Sequence, residues 1–243
     1  MRYFINLSYN GKNYSGWQSQ PNKITVQSVL ENVLSTVLRT DIQAVGAGRT
    51  DAGVHSKMMF AHFDFAAEIA DFEQLKRHLN SFLPRDIAIK EIFKVADEAH
   101  ARFDAVKRTY EYWLVQEKNP FLTDFACYFS QKLDFEKMNI AAKILFDYQD
   151  FTSFSKLHTD VKTNDCAIFR ADWEKRGNAW VFTISANRFL RNMVRAIVGT
   201  LLLVGENKIS LENFRQIIEA KDRCKAGISV PACGLYLTKI EYE

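Results

Sequence analysis

The stretch GAGRTDAGVHS, residues 46–56, packs Gly46, Gly48 and Gly53 around one arginine, Arg49, and one aspartate, Asp51. Glycines at this density let a backbone turn tightly or approach a ligand closely. Phosphate binding fails on spacing. A G-x-G-x-x-G fingerprint needs its third glycine at position 51, and a P-loop needs Gly-Lys-Ser/Thr where Gly53 is followed by Val54 and His55. An acid at the tip would also repel a phosphate. Two readings stay open for the window alone: a hairpin turn with a surface Asp–Arg pair, or a loop built to present one carboxylate.

Working outward, the periodicity places this loop between strands. Residues 2–9 alternate, with Tyr3, Ile5 and Leu7 on one face. Thr25 caps a helix in which Val26, Val29, Leu30, Val33, Leu34, Val37 and Leu38 keep a 3–4 rhythm. Ile42 to Val45 forms a short strand into the loop, and MMFAHFDF (58–65) forms the strand after it. Asp71 with Gln74 resembles a capping box, and the helix carrying Phe72, Leu75, Leu79 and Phe82 stops at Pro84. IAIKEIFKV (87–95) completes β-α-β-β-α-β.

The second half runs in the same order. RTYEYWLVQ (108–116) is a strand, Asp134 caps a helix, and CAIFRADWEK and AWVFTISAN pair around residues 176–178. A long helix over Phe189 to Val204 follows, then a helix from Ser210 and a closing strand, GLYLTKIEY. The expected fold is α+β: two ferredoxin-like β-α-β-β-α-β halves, antiparallel sheets flanked by helices, with a cleft between them. A loop-rich boundary near 96–106 separates an N-terminal half (1–100), carrying the Asp51 loop, from a C-terminal half (101–243).

Composition narrows the function classes. The chain has 243 residues, 47% apolar and 25% charged, with a formal net charge of +3, so a polyanion site must come from clustering rather than total charge. Cys127, Cys166, Cys224 and Cys233 form no C-x-x-C pair, and the five histidines are scattered, so no metal site is expected. His55, His62 and His158 read as structural. The N-terminus lacks the apolar core of a signal peptide, and AIVGTLLLVG (196–205) is far short of the ~20 residues that span a bilayer. A soluble protein with reduced thiols, in the cytoplasm and without membrane contact, is expected.

Two further stretches offer chemistry. In NRFLRNMVR, Arg188, Arg191 and Arg195 recur at spacings of three and four. On one helix they make either a solvated face or a phosphate-facing stripe with one arginine turned toward a carboxylate. In RTYEYW, Arg108, Tyr110 and Tyr112 share one strand face, suited to base stacking or to a plain core.

YNGKNYSGWQSQ, GAGRTDAGVHS, ARFDAVKRTYEY, FTSF, NRFLRNMVRAIVGTLL and PACGLYL occur in this order over residues 3–242. Together they resemble the bacterial tRNA pseudouridine synthase A family, isomerases acting on uridines 38, 39 and 40 in the anticodon stem-loop of tRNA. Two positions depart from the pattern: Asn192 stands where the family has His, and Cys233 lies in a segment usually free of cysteine. The resemblance implies the pseudouridine synthase fold and a catalytic role for Asp51. It further implies that Arg195 pairs with Asp51, that Tyr110 packs on the target base and that Leu235 lines the uracil pocket. Arg49 would enter the space left by the flipped nucleotide. It implies a homodimer gripping one tRNA across both chains, and no cofactor. Arg191, beside Arg195, is expected to face phosphates. The carboxylate could attack C1′, attack C6 or promote a glycal route, and all three stay open.

Two other classes compete. A non-catalytic RNA-binding module would use the same folds and aromatics, but gives no reason for an acid at the tip of a glycine loop. A glycosidase-like hydrolase would need a second carboxylate. Asp64 and Glu68 are near in sequence, yet no motif positions them.

Overall fold

The computed structural model describes residues 1–156 and 163–243; His158 lies outside the described residues. The chain forms two compact units, Met1–Val106 with Tyr236–Glu243, and Lys107–Leu235.

The first unit follows the expected order: β1 (Arg2–Tyr9), α1 (Val26–Leu38), β2 (Ala44–Gly46), β3 (His55–Asp64), α2 (Phe72–Phe82) and β4 (Ile87–Val95). β1 lies between β4 and β3, antiparallel to both. β2 pairs antiparallel with β3 from Ala44↔Phe63 to Gly46↔Ala61. Tyr3, Ile5 and Leu7 are wholly buried, as are Leu30 and Leu34 of α1 and Leu79 of α2. Phe4, on the other face of β1, is buried too, among Phe60, His62, Phe93 and Tyr242. Both helix starts are capped: Thr25 and Ser28 form a reciprocal box, whereas at Asp71 the carboxylate accepts from the Gln74 N–H without the reciprocal bond of a capping box.

The second unit carries β5 (Ala105–Val115), a two-residue β6 (Cys127–Tyr128), α3 (Phe135–Ile144), β7 (Ile168–Arg176), β8 (Ala179–Ala186), α4 (Met193–Gly205) and α5 (Leu211–Glu219). β8 is central, antiparallel to β5 and β7. All but one of its residues are buried, so it reads as an apolar run rather than an alternation. α4 is buried nearly all round, Arg195 being one of its two incompletely buried residues.

Three expectations change. The closing strand, β9 (Leu235–Tyr242), does not stay with the second half. It pairs in parallel with β3 at His55↔Tyr236 and Ser56↔Leu237, and the Ser56 hydroxyl donates to the Leu237 carbonyl. The division after β4 falls at residue 106 rather than 100. The helix expected from Phe189 begins only at Met193, because Asn192 takes a left-handed φ of 67° that no α-helix interior accepts. Arg188 and Arg191 therefore lie in the turn before α4, and the three arginines do not share a helix face.

Each unit guards its outer strand in the same way. At β4 the Asn80 amide of α2 donates to the Ile89 carbonyl and accepts from the Ile89 N–H, both at 2.8 Å. At β7 the Asn139 amide of α3 does the same for Trp173, at 3.0 and 2.7 Å. A strand edge with open backbone groups templates aggregation, and these amides close part of it. Asn80→Ala and Asn139→Ala each remove two hydrogen bonds and are expected to cost about 1–3 kcal/mol in denaturant unfolding. A cost near zero at both sites would show that water replaces the amide.

Candidate active site

The GAGRTDAGVHS loop connects β2 to β3 within the first unit, and its backbone is held by the segment after β1. The Trp17 N–H donates to the Thr50 carbonyl at 3.2 Å, and the Gly53 N–H donates to the Tyr14 carbonyl at 3.3 Å. The loop closes on itself where the Val54 N–H donates to the Asp51 carbonyl at 3.1 Å. The Thr50 hydroxyl shares a 2.8 Å hydrogen bond with the Tyr9 hydroxyl, both groups buried. At the far end the Gly11 N–H donates to His55 Nδ1, which gives that buried imidazole a structural partner.

Two glycines in this arrangement take a positive φ. Gly53 has a φ of 79°, in the left-handed region. Gly16, outside the loop, has a φ of 95°, and a Cβ on it would sit 2.4 Å from the Thr50 carbonyl oxygen. Gly48 has open space around its Cβ position and no positive φ. The need for glycine thus lies as much in the YNGKNYSGW segment as in the loop.

That segment is itself anchored. The Tyr14 hydroxyl donates to Asp86 at 2.5 Å, the Asn13 amide donates to the same carboxylate, and the Asn10 N–H donates to the Asp86 carbonyl. Burial and the adjoining carboxylate push the Tyr14 hydroxyl pKa well up, so it remains a donor. Asp51 emerges half-buried from this frame, and Arg49, two residues earlier, is exposed. The rival acids are otherwise engaged. Asp64 is gripped by both arms of Arg2 at 2.8 Å, which holds its carboxyl below the usual range, and Glu68 lies 3.9 Å from Lys94.

The second unit holds the remaining predicted residues. Tyr110 is half-buried on β5, opposite Ile184 of β8, with its ring perpendicular to Phe189 at 5.1 Å. Tyr112 shares its strand face but is fully buried, its hydroxyl donating to the Pro231 carbonyl at 2.9 Å. The same face thus serves both readings: core at Tyr112, a partly open ring at Tyr110. Arg108 donates to the Asn187 carbonyl at 2.8 Å and ties the turn before α4 to β5.

Arg195, in the first turn of α4, donates through Nε to the Val230 carbonyl at 2.7 Å, and its own carbonyl accepts from the Val230 N–H. The Asn192 amide, at the departure from the family pattern, donates to the Ser229 hydroxyl at 2.6 Å. The 229–230 segment therefore fixes where α4 begins and how Arg195 leaves it. Arg191 is exposed and Arg188 half-buried. Leu235 is 5% exposed at the start of β9. Tyr9, Tyr14, Gly16, Trp17 and Asp86 escaped the sequence reading, although four of them lie in or beside a motif it quoted; their role needs the fold to bring them to the loop.

A family model described as tRNA pseudouridine synthase matches residues 6–104 and 141–243. Asp51, Arg49, Arg191, Arg195 and Leu235 fall within these blocks, and Tyr110 falls between them. Similar proteins include tRNA pseudouridine synthase A of Parabacteroides distasonis, 58% identical over 241 residues covering 99% of this chain and 96% of that one. That of Bacteroides fragilis is 54% identical over 242 residues, with the same coverage. That of Bacillus subtilis is 40% identical over 247 residues and covers both chains fully. The chain therefore belongs to the tRNA pseudouridine synthase family, and it is an isomerase. No described helix is long and apolar enough to cross a membrane.

The contrast between two glycines gives a direct check on the loop's support. Gly16→Ala is expected to destabilise by about 1–3 kcal/mol, through backbone strain and the clash at Thr50. Gly48→Ala is expected to be neutral or to stabilise by up to about 1 kcal/mol. Unfolding midpoints in denaturant measure both, and equal effects would refute the contrast.

Proposed function

We propose that the protein converts uridine to pseudouridine at positions 38, 39 and 40 in the anticodon stem-loop of tRNA, with Asp51 as the reacting carboxylate. The observation that carries this reading is a half-buried aspartate on a loop whose backbone is clamped on both sides. A tip held that firmly suits a group that must meet one carbon atom of a bound base. The reaction breaks the N1–C1′ bond, turns the base and joins C1′ to C5; C5 loses its proton and N1 ends protonated. Nothing is oxidised, and no group leaves the nucleotide.

The family resemblance supplies the other roles, and chemistry supports them. The base must leave the stack, at a cost of a few kcal/mol. Stacking on Tyr110, whose ring is half open, returns about 1–3 kcal/mol. Arg49, exposed two residues from Asp51, would fill the vacated space, and Leu235 would line the uracil pocket. Arg195 would pair with Asp51 and favour its charged form, as an arginine beside a carboxylate does. Arg191 would meet a phosphate. The two-half pseudouridine synthase plan, a homodimer gripping one tRNA and a cytoplasmic location belong to the same reading.

An unmodified tRNA transcript carrying tritium at C5 of uridine tests it. Tritium release, with pseudouridine mapping to positions 38–40, is expected; release with products confined to other positions would remove the anticodon assignment. Arg195→Lys keeps the charge but loses the planar fork, so it should recover only part of the activity lost in Arg195→Ala. Arg191→Ala should leave turnover of bound tRNA intact and lower the salt dependence of binding by roughly one phosphate contact. A flattened salt slope for Arg195→Ala, with an unchanged one for Arg191→Ala, would reverse the two assignments.

A further inference from the structure

We propose that Tyr9 is a positioning residue for Asp51, acting through the hydroxyl of Thr50; the inference rests on the reading of Asp51 given above. Tyr9 ends β1 and is 4% exposed, and Thr50, immediately before Asp51, is 8% exposed. Their hydroxyls meet at 2.8 Å, across 41 residues of chain. The ring of Tyr9 already packs near Trp17, with centroids 6.2 Å apart, and that packing needs no hydroxyl. A buried hydroxyl costs free energy unless it is bonded, so the phenol oxygen has a specific purpose at this place.

The geometry says what the bond controls. The Thr50 carbonyl and the Asp51 N and Cα share one planar peptide group, so fixing Thr50 fixes where the Asp51 Cα–Cβ bond starts. Thr50 is held at three points. Its hydroxyl meets Tyr9, its carbonyl accepts from the Trp17 N–H at 3.2 Å, and Gly16 leaves no room for a Cβ beside that carbonyl. The hydroxyl contact is the shorter of the two hydrogen bonds, and it is the one made by a side chain of the sheet. Tyr9 therefore ties the tip of the loop to β1, the strand between β3 and β4. Without it the loop keeps its chain path, but residue 50 can tilt and carry the carboxylate with it.

Such a tilt affects the reacting geometry rather than the grip on tRNA, which separates this role from a structural one. Tyr9→Phe, Thr50→Val, the double variant and Thr50→Ser are compared in single-turnover pseudouridine formation, tRNA affinity and thermal unfolding, with Asp51→Asn alongside. Tyr9→Phe and Thr50→Val should each slow the single-turnover rate by about tenfold or more, since a misplacement near 1 Å costs about a hundredfold. Affinity for tRNA should stay within about twofold, because both hydroxyls are buried and bonded to each other, and neither carries a charge to neutralise a phosphate. The double variant should be no slower than the slower single variant, as expected of two groups acting through one bond. Thr50→Ser, which keeps the hydroxyl, should retain most of the rate.

A wild-type rate in Tyr9→Phe overturns the proposal. Losses that multiply in the double variant, or that merely follow the fraction of unfolded protein, overturn it as well. An inactive Asp51→Asn beside a fully active Tyr9→Phe removes the positioning role alone. An active Asp51→Asn removes the assignment of Asp51 and this inference with it.

Discussion

The 9–17 segment clamps residues 50–54, and the placement of Asp51 depends on that clamp. Thr50 is fixed through its hydroxyl by Tyr9 and through its carbonyl by Trp17, and Gly53 is fixed by Tyr14. These contacts close only if Gly16 has no side chain, since a Cβ there would sit 2.4 Å from the Thr50 carbonyl oxygen. Tyr14 is held in turn by Asp86, just before β4, so the loop is referenced to both strands of the sheet's edge pair, at the end where Tyr9 pairs with Ile87. A flexible glycine loop becomes a fixed support in this way. Its glycines permit an unusual backbone path, and its neighbours remove the freedom that those glycines would otherwise bring.

The second unit solves a related problem with a helix. α4 starts abruptly at Met193 because Asn192 is left-handed, and the 229–230 segment bonds to Asn192 and Arg195 together. Arg195 is thereby held in the first turn of a largely buried helix, while Arg191 is exposed in the turn before it. An early helix start would have put all three arginines on one face. The start at Met193 leaves Arg195 as the one arginine of the three inside α4.

Much of this was legible in the sequence. The strand–helix order, the Thr25, Asp71, Asp134 and Ser210 caps and the stop before Pro84 rest on local signals, and the structure contains each of them. The loop's odd composition and the ordered motifs pointed to the family that the chain belongs to. What escaped notice depends on distance along the chain. The Tyr9–Thr50 bond joins residues 41 apart, and the return of β9 to β3 joins residues some 181 apart. No periodicity registers either. NRFLR has good helical spacing, yet one backbone angle at Asn192 moves the start of α4 to Met193. Gly48 shows the opposite case: a glycine in a motif need not be a glycine the backbone requires.

Asp51 carries the central claim, and one substitution addresses it with little change of shape. Asp51→Asn keeps the side chain's size and most of its hydrogen bonding but removes the charge and the nucleophilic oxygen. In single-turnover conversion of a tRNA transcript, the account predicts that the Asn variant binds tRNA with wild-type affinity and forms no pseudouridine. Pseudouridine formed by that variant at a rate near wild type would contradict it.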